Sequence, residues 1–123
     1  QARKQLEAIT HPPIRAWVMD DIARNVEPDG FGVVDAALMI ESGWAAQFAG
    51  VVVVWCPPTL QLARLIARDH ISREDALARI GAQMPIDEKK KCGDYVIDNS
   101  GELAQLPLLV DRALDWMRGR SSP

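Results

Sequence analysis

The run Gly50-Val51-Val52-Val53-Val54-Trp55 limits the possible folds of this chain more than any other stretch. Successive β-branched residues favour a strand, and no polar residue alternates with them, so neither face of the run is marked for solvent. Strands of this kind belong to parallel sheets whose two faces are both covered by helices. Pro57 and Pro58 stop the strand and can open a helix, expected over about Thr59 to Asp69. There Leu60, Leu62, Ala63, Leu65 and Ile66 turn toward the sheet, while Arg64 and Arg68, four residues apart, share one side.

The flanking sequence repeats the alternation of strand and helix. GVVDAALMIE, residues 32–41, reads as an apolar strand ending at Glu41, and DYVID, residues 94–98, as a further short strand closed by Asn99, Ser100 and Gly101. Ser72 followed by Asp75 imitates a capping box and opens a helix to about Gln83, after which MPIDEKKK turns the chain back. Leu103, Leu106, Val110, Ala113, Leu114 and Met117 mark a last amphipathic helix, and GRSSP is expected to fray. Upstream, Pro12 suits a helix start, with Ile14, Trp17, Val18, Ile22 and Val26 on its buried face. QARKQLEAI before it reads as the middle or end of a helix with no N-cap, as though the chain were cut there. The alternation predicts an α/β domain with a parallel sheet.

With 123 residues, one core is expected. The chain is 48% hydrophobic with a net charge of −3, which gives no bulk affinity for nucleic acid. Val51 to Cys56 is far too short to span a bilayer. Cys56 and Cys92 lie far apart without a signal peptide, so reduced thiols and a cytoplasmic location are expected. The two histidines and two cysteines lack metal-ligand spacing, so no metal site is expected.

Five pieces stand in a fixed order: HPPI at 11–14, VVDAALMIESGW at 33–44, VVVVWCPPTLQLARLIARD at 51–69, SREDALARIGAQM at 72–84 and DYVIDNSG at 94–101. In that order and spacing the chain resembles the dephospho-CoA kinase family, over about nine tenths of its length. The resemblance implies a P-loop-kinase type three-layer α/β/α fold with a parallel sheet, here missing the first strand and the ATP loop. It also implies a single partial kinase domain, with residues of about 1–28 as a CoA-binding helical region, about 68–93 as a lid and the remainder as sheet core. The implied activity is ATP-dependent phosphorylation of the ribose 3'-hydroxyl of dephospho-CoA, with ATP and Mg²⁺ entering as the substrate complex. Ala37 and Met39 depart from the proline and leucine of the family pattern. A G-x-x-x-x-G-K-[ST] loop, whose N–H groups, lysine and hydroxyl hold the phosphates and Mg²⁺, does not occur in these 123 residues. The chain alone is therefore expected to be catalytically incomplete; the alternative is a non-catalytic nucleotide- or CoA-binding or interaction fragment.

Phosphoryl transfer depends on positioning and on cations placed against the transferred group, which gives arginines on a mobile lid a purpose. The resemblance assigns Arg68 and Arg79 to catalytic phosphate contacts, and Arg64, Gln83, His11 and Glu41 to substrate binding. Asn99 and Gly101 fall where the adenine of ATP would lie. Other readings stay open: a solvated, salt-bridged helix pair for the arginines, a helix-end hydrogen bond for His11, a helix cap for Glu41 and a plain turn for Asn-Ser-Gly. Asp35 is a weaker candidate than Glu41, Cys56 reads as structural, and Lys89 to Lys91 as solvated. Apolar sheet surface left uncovered by the missing strand is expected to drive self-association.

Overall fold

A computed structural model describes residues 1–120. The chain divides into two compact units, Gln1–Ala36 and Ala37–Pro123.

In the first unit a single helix, α1 (Ala2–Asn25), carries Pro12 and Pro13 in its interior. Pro12 therefore does not start a helix, contrary to the sequence reading. Neither proline has an N–H to donate, so the helix passes through the pair without the bonds to the carbonyls of Ala8 and Ile9. The expected apolar face is covered only toward its C-terminal half: Val18, Ile22 and Val26 are half-buried, whereas Ile14 and Trp17 are exposed. Past the helix end the chain folds back, and a Cβ at Gly32 would lie 3.0 Å from Val26 Cγ2.

The second unit is built on a two-stranded parallel sheet, β1 (Val52–Trp55) beside β2 (Tyr95–Asp98), with Val52 opposite Tyr95 and Trp55 opposite Asp98. Between the strands run α2 (Pro58–Asp69), α3 (Arg73–Gly81) and α4 (Ile86–Cys92), and α5 (Leu106–Arg118) follows β2. Paired residues share a face of the sheet. On the face of Val53 and Trp55, α4 is fastened: the Trp55 indole N–H donates to Asp87 at 2.8 Å and Lys90 Nζ stands 3.8 Å over the ring. On the opposite face Tyr95 meets Trp116 of α5 at 5.2 Å. The result is a layered α/β fold, helix on sheet on helix, with Val53, Ala76, Ile97, Ala113 and Trp44 buried.

Several expectations need correction. Residues 31–36 have no regular structure and 37–43 form turns, so GVVDAALMI is not a strand. An apolar run alone does not separate a strand from a half-buried turn, and here the amides bond locally: Ser42 N–H to Leu38, Gly43 N–H to Ile40. Gly43 takes φ 72°, a left-handed conformation suited to glycine, and opens a 3-10 turn at Trp44–Gln47. The Val51–Trp55 run is not covered on both faces, because α5 covers the β2 half of its face and leaves Val54 54% exposed. MPIDEKKK is no simple turn: Pro85 leads into α4, with Asp87 and Glu88 in its first turn and Lys89 to Lys91 in its last, matching the helix dipole. Leu103 and Val110, placed on the buried face of the last helix, are exposed. The Ser72 cap forms as read, its hydroxyl accepting from the Asp75 N–H at 3.0 Å. The fraying expected at the C-terminus falls mainly on residues 121–123, outside the described residues.

Candidate functional site

The helix α2 follows β1 after Cys56-Pro57, and α3 packs back against it across His70, which takes a left-handed φ of 52°. Between these helices and the C-terminal end of the sheet lies a cleft of about 560 Å³. Arg64, Arg68, Arg79, Gln83 and Asn99 line it, together with Cys56 and Gln61. Five residues singled out from the sequence thus converge on one cavity. Among the described residues no carboxylate lines it, so its charged lining is cationic and suited to a polyanion.

Each cation has a fixed partner. Arg68 forks onto Asp69, with Nε at 2.7 Å from Oδ1 and Nη2 at 3.2 Å from Oδ2, and Arg79 Nη1 donates to the same Oδ2 at 2.8 Å. Asp69 therefore ties the last turn of α2 to α3 and sets two guanidinium groups side by side. Hydrogen bonding from Arg68, aided by the charge of both arginines, holds the Asp69 carboxyl below the usual range, and the same contact raises Arg68. Arg64 spends its guanidinium on the loop after β2, donating to the Asn99 carbonyl at 2.5 Å and more loosely to that of Gly101 at 3.5 Å.

That loop is otherwise pinned. The Asn99 N–H donates to the Trp55 carbonyl at 2.7 Å, continuing the ladder. Ser100 donates through both N–H and hydroxyl to Asp98 Oδ1, and these bonds hold the Asp98 carboxyl below its ordinary value. A Cβ at Gly101 would overlap the Gln105 side-chain oxygen, which accepts from the Glu102 N–H.

Glu41 lies beside the cleft rather than on its wall. Its Oε2 accepts from Lys89 at 3.0 Å and from the Met84 N–H at 3.1 Å. Burial pushes its carboxyl up, but the Lys89 hydrogen bond, the backbone N–H groups and the Lys89 charge outweigh burial and leave it below the usual range. Asp35 is exposed and belongs to the other unit, so no strand carries it together with Glu41. His11 sits half-buried in the interior of α1, not at a helix start. Among the described residues no three His, Cys, Asp or Glu side chains are grouped to hold a metal ion, and no helix is long and apolar enough to cross a membrane.

Two residues were missed from the sequence. Asp69 follows Arg68 directly, and nothing in the spacing shows that it also reaches Arg79. Lys89 reads as solvated within Lys89-Lys90-Lys91, yet its side chain is 12% exposed. A signal existed, since Ile86 and Lys89 are three apart and so share a face of α4.

The dephospho-CoA kinase family pattern matches residues 1–105. The chain belongs to the dephospho-CoA kinase family. It is 40% identical to a dephospho-CoA kinase of Anaeromyxobacter dehalogenans over 96% of its own length and 56% of that protein, and 45% identical to one of Bacillus licheniformis over 90% and 58%. A crystal structure from Thermus thermophilus superposes with a TM-score of 0.77 at 34% identity, over 93% of this chain and 59% of that one. The dephospho-CoA kinase of Campylobacter jejuni gives a TM-score of 0.66 at 31% identity, over 95% and 58%. The chain thus spans little more than half the length of these dephospho-CoA kinases.

Proposed function

We propose that the chain is the lid and substrate-binding part of an enzyme that transfers the γ-phosphoryl group of ATP to the ribose 3'-hydroxyl of dephospho-CoA. The observation that carries this reading is the cleft in which Arg64, Arg68, Arg79, Gln83 and Asn99 meet without a carboxylate. Arg68 and Arg79, set side by side by Asp69, are the groups that stabilise charge on the transferred phosphoryl. Residues of about 68–93 act as the lid that brings them in, excluding water from the reacting groups. Gln83 contacts a phosphate oxygen. Arg64 keeps its place as a substrate-side cation at the mouth of the loop and also holds the Asn99–Gly101 backbone, against which the adenine of ATP lies. His11, on α1 within the region of about residues 1–28, binds the CoA moiety. Glu41 serves the substrate side through its partners Lys89 and Met84.

Mg²⁺ enters with ATP, largely on phosphate oxygens and water, and no step is assigned to it through this chain. None of the cleft residues is suited to be the general base, which leaves the residues here with binding and charge stabilisation.

The test is release of ADP and of 3'-phosphorylated product from ATP, Mg²⁺ and dephospho-CoA. The 123 residues alone, which contain no G-x-x-x-x-G-K-[ST] loop, are expected to give no turnover above background. The complete reading frame that encodes them, provided it carries that loop, is expected to turn over. Phosphorylation of another acceptor in preference to dephospho-CoA would overturn the substrate assignment.

A further inference from the structure

Lys89 is the most enclosed cation of the second unit's ion pairs, with its side chain 12% exposed. An ammonium has three N–H donors and no acceptor. All three are engaged: Glu41 Oε2 at 3.0 Å, the Ala37 carbonyl at 2.9 Å and Gln83 Oε1 at 2.8 Å. No donor is left over for a ligand. The lysine therefore acts on the cleft through what it holds, and the one partner that also lines the cleft is Gln83.

A glutamine amide can present either an acceptor or a donor, and the choice depends on its neighbour. Beside an ammonium there is no choice, because the reverse orientation would set NH₂ against NH₃⁺. With Oε1 committed to Lys89, Nε2 keeps two hydrogens, and among the described residues no acceptor pairs with them. Gln83 shares the cleft wall with Arg68 and Arg79. We propose that Lys89 is a positioning residue that locks the Gln83 amide as a donor, so that this wall of the cleft reads an oxygen of a phosphate group and rejects a donor in the same place. Glu41 makes the arrangement possible, since it neutralises the enclosed ammonium and anchors the Met84 amide one residue beyond Gln83. The naming of the phosphate's owner rests on the kinase reading above; the orientation of the amide does not.

The probe is inorganic tripolyphosphate, titrated calorimetrically into the chain and into K89M, Q83A, the double variant and Q83E. Q83A and K89M are each expected to weaken binding about tenfold, and the double variant no more than about twofold beyond either single one. Q83E retains the Lys89 contact but turns an anionic acceptor into the cleft, so it is expected to bind more weakly than Q83A. Losses that multiply in the double variant, Q83E binding as well as the parent, or no binding of tripolyphosphate at all would each overturn the proposal. If K89M proves unfolded in a thermal melt, K89Q, whose amide can meet Gln83 with either end, takes its place in the cycle with the same expectation. In the complete enzyme K89M is expected to raise KM for one substrate about tenfold with kcat held within about twofold, whereas a fall in kcat at constant KM would refute a role in positioning a binding group. An enzyme inactive toward dephospho-CoA would sink the kinase reading and leave the tripolyphosphate series to judge the amide.

Discussion

Replacing Glu41 by Gln removes one charge and almost nothing else. The amide oxygen can still accept from the Met84 N–H, and the side chain keeps its length, so the change isolates the attraction to Lys89 at 3.0 Å. A charge-assisted hydrogen bond is worth about 1.5–3 kcal/mol when shielded. Here the two side chains are 21% and 12% exposed, and the part-open setting reduces the expected loss to about 1–2 kcal/mol. The pH dependence has a definite sign. The folded state holds Glu41 below its ordinary value of 4.5, so its contribution is present above 4.5 and disappears as the pH falls through the lower folded value. Urea unfolding of both proteins should therefore show a deficit for E41Q at neutral pH that narrows as the pH falls below 4.5 and through the lower folded value of the parent carboxyl. Equal stability at neutral pH, or a deficit that persists undiminished in acid, would refute the charge pairing.

In the complete enzyme, R68A and R79A are each expected to lower turnover by about tenfold to a hundredfold, measured as ADP release; near-normal rates in both would remove these arginines from the proposed mechanism. Light scattering over a concentration series should show the 123-residue chain associating with itself through the sheet face bearing Val54, and V54K should reduce that association, because Val54 is 54% exposed and flanked by strand edges. A monomer at every concentration would mean that the helices close the sheet unaided. G93A places a Cβ 2.7 Å from Val53 Cγ2 and 3.2 Å from the Tyr95 carbonyl, so it should cost about 1–3 kcal/mol in a urea titration, and an unchanged midpoint would show the strand junction to be loosely packed.

The features legible in the sequence are those fixed by local chemistry. Consecutive valines make β1, Ser72 caps α3, and the Pro57-Pro58 pair ends a strand and starts a helix, because each depends on residues a few places apart. The cleft residues converge because Arg64, Arg68, Arg79, Gln83 and Asn99 lie on elements that the crossover between parallel strands must bring together. Features set by distant partners were not legible. Whether Val54 is covered depends on how far α5 reaches, and whether GVVDAALMI becomes a strand depends on a neighbouring strand to pair with. Pro12 read as a helix start since the usual penalty of an internal proline outweighed any sign of the helix continuing. Lys89 escaped notice because its three partners are 6, 48 and 52 residues away.

The parallel pairing of β1 with β2 has a consequence for the order in which the chain can fold. Residues 56–94, with all of α2, α3 and α4, are strung between the two strands. Those helices can form from local contacts as they emerge during synthesis, but the β1–β2 ladder cannot close until β2 has also left the ribosome. Pairing over such a separation closes a long loop and is intrinsically slow. The cleft is thus among the last features to appear, since Asn99 and the Arg64 contact to its carbonyl exist only once β2 is in place. A nascent chain halted short of residue 95 would hold its arginines on finished helices and still have nothing for them to surround.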